Sequence, residues 1–344
     1  MVALEVKNGN NILNVVSFFD GMSCGQIALE RAGFKVDKYF AAEIDKYAIK
    51  VTQANYPNTI QIGDVCGVQY EDGALFHHQN DNPLKNGGSY IADIDLLIGG
   101  SPCQGFSFAG KQLNFDDPRS KLFFEFVRFL KECNPKYFLL ENVRMKRGYQ
   151  DIISNYLGCE PLSINSSLLS AQNRKRLYWT NIPSIKLPID RGIVLKDIMI
   201  EKTNEYAKIS KKGKYKKYQD KSSCITGGGH SGGNHSDMDL FGIPKDRCYQ
   251  IGEAIGINGH DLLKRVYADY GKSPAVTTIT GGNQYGKIAV DDYQWRRLTP
   301  IEVERLQTVP DNYTDHVSNS ARYKMLGNGW TVDVICHILK NMSI

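Results

Sequence analysis

Three short stretches carry side chains that could do chemistry. In Ser101-Pro102-Cys103-Gln104-Gly105 a cysteine sits just past an apolar run, DLLIGG, between a proline and a glutamine. Glu141-Asn142-Val143 closes a second apolar run, KYFLLENV, and QNRKRLY sets Arg174 and Arg176 two residues apart. Cysteine is the most nucleophilic side chain near neutral pH, and its thiolate is the reactive form. A carboxyl in a closed apolar pocket can be held protonated and act as an acid. Arginines at alternate positions of an extended segment share one face, where they can hold an anion or a carbonyl oxygen. Each also has a plainer reading. Cys103 could be packed core, half of a disulfide or a metal ligand, and the arginines could be a solvated surface strand.

Spacing narrows the choice. The eight cysteines are scattered singly, with no CxxC pair. A disulfide scaffold is a small, cysteine-dense secreted chain, and this is neither. No paired Cys/His spacing suggests zinc, and His230, His235 and His260 fit no common ligand pattern. With 23% charged and 42% hydrophobic residues among 344, the composition is that of a globular chain with one large domain or two unequal ones. A net charge of +5 permits an anionic partner without demanding one. No stretch approaches the roughly 18 apolar residues of a membrane helix. MVALEVKNGN lacks the pattern of a secretory signal, so the cytoplasm is the expected compartment.

The elements that must position these residues show α/β rhythm. NILNVVSFF, VDKYFAAEI, TIQIGDV, DIDLLIGG and KYFLLENV read as strands. GQIALERAGF, stopped at Gly33, then DKYAIKVTQANYP and SKLFFEFVRFLKECNP read as helices between them. Continuous apolar strands alternating with helices predict a parallel sheet covered on both faces, with ligands at the carboxyl ends of its strands. At those ends stand Phe19-Asp20-Gly21, Glu43, Asp64, Pro102-Cys103 and Glu141. An acid about 20 residues after a glycine turn is where a nucleotide ribose is usually gripped.

These residues carry a resemblance. FFDGMSCG, SPCQGFS, ENV, QNRKRLY, RRLTPIEVERLQ and GNGW, in that order, resemble the motifs of the DNA (cytosine-5)-methyltransferases nearly end to end. The resemblance implies a Rossmann-like S-adenosylmethionine-dependent methyltransferase domain, 1–184 completed by 306–344, with 185–305 as an inserted target recognition domain. It implies methyl transfer to carbon 5 of a flipped-out cytosine in a specific duplex sequence. Cys103 adds covalently to carbon 6, Glu141 serves the ring nitrogen N3, and Arg174 and Arg176 hold the O2 oxygen, a phosphate and the catalytic loop. Phe19, Gly21, Glu43, Ile44, Asp64, Val65, Pro102, Leu122, Asn328 and Gly329 would line the cofactor site. Gln104, Ser107, Thr277 and Thr278 would contact DNA, and GFSFAGKQLNFDDPRS would close over the base with Gly105 and Gly110 as hinges.

The lysine- and tyrosine-rich EKTNEYAKISKKGKYKKYQDK falls in the insertion, where phosphate contacts are expected. KSSCITGGGH and KSPAVTTITGGN echo each other there as two similar recognition loops. The expected partner is double-stranded DNA, with no metal, membrane or obligate protein partner, and the chain is expected to be a monomeric, bare catalytic unit of a bacterial or phage-infected cell. Two departures stand out. The common FxGxGG reads FDGMSCG here, placing Ser23 and Cys24 in glycine positions, and GNSV reads GNGW, placing Trp330 in the cofactor wall. The alternative is a tRNA cytosine-5 methyltransferase, whose Cys-Phe-Thr hallmark is absent. A nicotinamide-dependent dehydrogenase would leave the three motifs unexplained and lacks GxGxxG.

Overall fold

Apolar strands alternating with capped helices build the first half of the chain. β1 (Ile12–Phe18) is followed by α1 (Cys24–Ala32), β2 (Lys35–Ala42), α2 (Lys46–Asn55) and β3 (Ile60–Gln61). A small sheet of β4 (Val68–Glu71), β5 (Ala74–His77) and β6 (Tyr90–Ile91) precedes β7 (Leu96–Gly99), α3 (Pro118–Cys133), β8 (Tyr137–Val143) and α4 (Arg147–Leu157). The remaining strands are β9 (Leu162–Asn165), β10 (Gln172–Asn173), β11 (Lys175–Thr180), β12 (Ala207–Ser210), β13 (Gln250–Ala254), β14 (Arg265–Tyr267), β15 (Ser273–Pro274), β16 (Lys287–Ala289) and β17 (Gln294–Arg297). α5 (Pro300–Leu306), α6 (Asn319–Asn328) and α7 (Val332–Leu339) follow. The structure, a computed structural model, describes residues 12–77, 90–102, 118–200, 207–210, 247–278, 285–290 and 294–343.

The helix boundaries follow local chemistry. α1 stops at Gly33, whose φ of 88° is left-handed and suits glycine. α2 starts on Asp45, whose carboxylate accepts from the Tyr47 N–H at 2.9 Å, and ends ahead of Pro57. α5 opens on a Thr299–Glu302 capping box with Pro300 in the first turn.

The main sheet has seven strands in the order β3-β2-β1-β7-β8-β11-β9. The five strands expected from sequence are parallel. The sheet as a whole is mixed, because β11 runs antiparallel to both β8 and β9. A strand's local apolarity does not encode its direction, so the purely parallel expectation is corrected here. Successive side chains enter opposite cores, as the two-residue period of a strand requires. Leu13, Val15, Leu96, Ile98, Tyr137, Leu139 and Tyr178 join the core that holds α1 and α7. Val16, Phe18, Leu97, Phe138, Leu140, Leu177 and Trp179 join the core beneath α3 and α4.

The span expected as an insertion holds a closed five-stranded barrel, β12-β13-β14-β16-β17, around Ala254, Val266 and Ala289. Other parts of that span pack on the large sheet. Leu195, Ile198, Leu298 and Val303 belong to the α1/α7 core, and β15 pairs with β10. Lys272, fully buried, ties these parts together. Its Nζ donates to the carbonyls of Ser167 at 2.7 Å and Ser170 at 3.1 Å, and to that of Ile193. Apart from β12, the lysine-rich run lies outside the described residues, as does the first of the two echoing stretches. No helix among the described residues is long and apolar enough to cross a membrane.

Candidate active site

The strand order reverses between β1 and β7, and a cavity of about 680 Å³ opens beyond the carboxyl ends of the strands at that point. Phe19, Gly21, Glu43, Ile44, Asp64, Val65, Pro102, Leu122, Glu141, Arg174, Arg176, Thr277, Thr278, Asn328 and Gly329 all line it. Every site residue expected from sequence that lies within the described stretches is therefore brought to one place. Cys103, Gln104, Ser107, Gly105 and Gly110 lie outside the described residues. Cys103 follows directly on Pro102, whose neighbour Ser101 is pinned to the β8 end. The Asn142 side-chain amide donates to Ser101 Oγ at 3.2 Å.

One half of the cavity is acidic with an apolar lip. Glu43 Oε2 accepts from the Gly21 N–H, and Oε1 from the N–H groups of Ile44 and Asp45, each at 2.8 Å. The carboxylate is thereby fixed at the end of β2 beside the glycine turn. Asp64 caps the short turn after β3, its Oδ1 accepting from Cys66 N at 3.0 Å. Ile44 is 74% exposed, an unusual state for a large aliphatic side chain fixed at a cavity edge. Asp45 and Lys324, which sequence reasoning did not single out, form a 2.7 Å ion pair on the same lip. Lys324 Nζ and the backbone N–H of Tyr47 hold the Asp45 carboxyl below its ordinary value against a partial burial that pushes it up.

The other half holds Glu141 and the arginines. β8 and β11 pair with Arg176 opposite Val143 and Tyr178 opposite Glu141, so Arg176 is the diagonal neighbour of Glu141 on one face. Arg176 Nε lies 3.1 Å from Glu141 Oε1. The carboxyl is thus ion-paired, and the closed apolar surrounding expected for it is not what the structure contains. Arg174 turns elsewhere. Its Nη1 donates to Val276 O at 2.7 Å, and its Nη2 to the carbonyls of Gly327 and Gly329, both at 3.1 Å. It is buried, and desolvation together with the neighbouring Arg176 charge brings its pKa down to about 10.

Thr277 and Thr278, expected at base edges, pack against the far end of the chain at the cavity wall. A Cβ at Gly327 would collide with the Thr277 carbonyl, and the Thr278 hydroxyl donates to Asn328 Oδ1. The partners of Arg174 and of these threonines lie far off in sequence and leave no local signal.

The departures from the common motifs also meet here. Ser23 is left-handed, with φ 60° and ψ 42°, and is fully buried. Cys24 lines the cavity, and burial pushes its thiol up to about 12. Trp330 is accommodated because residue 100 is glycine, where a Cβ would stand 2.9 Å from the indole Nε1. Cys24, Cys66, Cys133, Cys159, Cys248 and Cys336 are free, and no cluster able to hold a metal occurs among the described residues.

A profile of the C-5 cytosine-specific DNA methylases matches residues 13–343. The chain is 30% identical over 366 aligned residues to the type II methyltransferase M.Eco47II of Escherichia coli, covering 96% of this chain and 78% of that one. It is 27% identical to the type II methyltransferase M.NlaX of Neisseria lactamica across 96% of each chain. In fold it resembles the Entamoeba histolytica methyltransferase EhMeth, with a TM-score of 0.64 at 15% identity over 96% of this chain and 97% of that one. With a profile spanning nearly its whole length and a relative at 30% identity, the chain belongs to the C-5 cytosine-specific DNA methylase family and is a DNA cytosine-5 methyltransferase akin to the type II modification enzymes.

Proposed function

We propose that the cavity joins a methyl donor to a cytosine swung out of duplex DNA, and that Cys103 is the nucleophile. The observation that carries this reading is the convergence of Glu43, Ile44 and Asp64 with the Glu141–Arg176 pair in one cavity of about 680 Å³. That is room for a nucleoside-sized ligand and a base. The family is one of S-adenosylmethionine-dependent methyltransferases, and the residues present fit that group. Glu43 Oε2 takes one protein N–H and keeps a lone pair for a ribose hydroxyl. The carboxylate of Asp64 suits the adenine amino group, and Ile44 and Val65 suit the faces of its ring. Phe19, Gly21, Leu122, Pro102, Asn328 and Gly329 complete the walls. When bound, S-adenosylmethionine supplies the methyl group.

The protein's part is to make carbon 5 of cytosine nucleophilic. The Cys103 thiolate adds to carbon 6, and the electrons move toward N3, where a Glu141 carboxyl that has taken up a proton gives it or a hydrogen bond, Arg176 stabilising the carboxylate that results. Carbon 5, now enamine-like, takes the methyl group. Loss of the carbon-5 proton to water or hydroxide then expels the Cys103 thiolate, N3 returns its proton to Glu141, and the aromatic ring is restored. Arg176 holds Glu141 and reaches the O2 oxygen, while Arg174 backs the same edge by fixing residues 276 and 327–329. Carbon 6 is shielded in stacked duplex, so the base must be extruded. Gln104, Ser107, Thr277 and Thr278, with the barrel and lysine-rich run of 185–305, are assigned to DNA. The test is a duplex carrying 5-fluorocytosine, which has no carbon-5 proton to lose. A denaturation-resistant adduct mapped by mass spectrometry to Cys103 supports the reading, and transfer of label to tRNA in preference to duplex DNA would overturn it.

A further inference from the structure

The turn between β1 and α1 contains a residue in the wrong conformation for its type. Ser23 has φ 60° and ψ 42°, a left-handed geometry that glycine adopts freely and other L residues adopt at a cost. It is also 0% exposed, so no solvent relieves it. The strain is met by a buried polar network. The Ser23 hydroxyl donates to Asp20 Oδ2 and accepts from Gln26 Nε2 at 3.0 Å. Asp20 Oδ1 accepts from the Tyr39 hydroxyl at 2.7 Å, and Gln26 Nε2 also donates to Thr59 Oγ1 at 2.8 Å. The Asp20 carboxyl thus ties the end of β1 to α1 and β2, and Gln26 extends the network to the approach to β3.

This network has a functional face. Phe19, Asp20, Gly21 and Cys24 line the cavity, and the Gly21 N–H donates to Glu43 at 2.8 Å. Swinging Ser23 out of its left-handed setting would move Gly21 and release Glu43. We infer that Asp20 and Ser23 are a matched positioning pair: the buried carboxyl, through the serine hydroxyl, sets the donor-binding turn at a position where glycine would otherwise be required. The inference rests on the reading that this half of the cavity takes the methyl donor. Neither residue is assigned a bond-making role. Asp20 acts on the ligand chiefly through the turn it holds.

The prediction is a dependence of one residue on the other. Full-length protein is titrated with S-adenosylhomocysteine by calorimetry at pH 8, with duplex DNA affinity and melting temperature measured alongside. Ser23→Ala removes the hydroxyl and keeps the strain. It should weaken the ligand about tenfold, as loss of one hydrogen bond to a charged group does, while DNA affinity holds within about twofold. Ser23→Gly removes both hydroxyl and strain and should stay within about threefold of wild type. Asp20→Asn should weaken the ligand about tenfold beside Ser23 and clearly less in the Ser23→Gly background. Should Ser23→Ala fail to fold, the two Asp20→Asn backgrounds decide the matter alone. Equal losses from Asp20→Asn in both backgrounds would refute the pairing, as would equal affinities for Ser23→Ala and Ser23→Gly. A wild-type chain that does not bind S-adenosylhomocysteine would instead sink the assignment of the cavity half, a different and separable result.

Discussion

Arg174 and Arg176 share a motif and a cavity, yet their contacts predict different phenotypes. Replacing Arg174 with methionine keeps the aliphatic stem and removes every donor. Gly329 O still accepts from Gln307 Nε2 at 3.2 Å, but Val276 O and Gly327 O lose the hydrogen bonds from Arg174. Leaving a buried carbonyl unsatisfied costs about 1–3 kcal/mol, so two carbonyls cost about 2–6. Removing a buried charge that has no carboxylate partner among the described residues gives part of this back. A net loss of about 2 kcal/mol remains, equivalent to a melting temperature lower by about 3 °C for a chain of this size. Arg176→Met leaves the Glu141 carboxylate, only 12% exposed, without its ion partner, which costs about 3 kcal/mol in stability. Turnover separates the two variants: it should fall about a hundredfold for Arg176→Met, because Arg176 is the group that faces Glu141. Differential scanning fluorimetry and single-turnover transfer of labelled methyl to duplex DNA read the two effects separately. If Arg176→Met turns over as fast as wild type, or if Arg174→Met is thermally unchanged, the division of labour argued from these contacts is wrong.

Four further outcomes are expected. Cys103→Ser should abolish methylation while S-adenosylhomocysteine still binds, and turnover equal to wild type would defeat the covalent route. Glu141→Gln should lower the single-turnover rate far more than it weakens duplex binding, seen by comparing rate with filter-binding affinity. Ile44→Ala should weaken S-adenosylhomocysteine about fivefold with almost no change in melting temperature, since the truncated side chain is 74% exposed without ligand. Burial pushes the Asp20 carboxyl from 3.8 to about 6 against the hydrogen bonds it accepts from Ser23 and Tyr39, with the Glu43 charge adding to the rise. The native state therefore keeps a proton that the unfolded chain has released, and stability falls as pH climbs from about 4 to about 6, by roughly 3 kcal/mol in all. The melting temperature of wild type relative to Asp20→Asn should drop across that window, and a flat difference would contradict it.

What the sequence revealed and what it hid divide along a physical line. β1, β7, β8 and the second half of β2 are apolar on both faces, so each announces itself as a run, and the residues after each run mark a strand end. Glu43, Pro102 and Glu141 were legible as strand ends in that way, and Asp64 follows the shorter β3. β9 buries only one of its four side chains and β11 opens on Lys175 and Arg176, so neither reads as a continuous apolar run, and their antiparallel placement depends on pairing that no local pattern records. The same limit hides the role of Arg174, whose carbonyl partners lie 102, 153 and 155 residues away. An arginine read by spacing belongs with its neighbour two residues on. Read by contacts, it belongs with the end of the chain.

The two motif departures look independent in sequence, one near residue 24 and the other at residue 330, and in space they are one feature. The Cys24 thiol meets the Trp330 backbone, and a Cβ at Gly329 would stand 2.9 Å from Met22 Cε and 3.4 Å from Cys24 Sγ. Trp330 in turn fills the space left by the missing side chain of Gly100, between the β1–α1 turn and Glu141, whose Oε2 would lie 3.3 Å from a Cβ there. A small aliphatic residue at 330 beside glycines at 23 and 24 would fill this wall one way. Serine, cysteine and tryptophan fill it another, with bulk added from both ends of the chain and room for the indole supplied by Gly100. Close packing makes such exchanges interdependent, because a void or a clash at either position is felt by the other. The departures are therefore better understood as a single alternative packing of one cavity wall than as two separate losses of a motif.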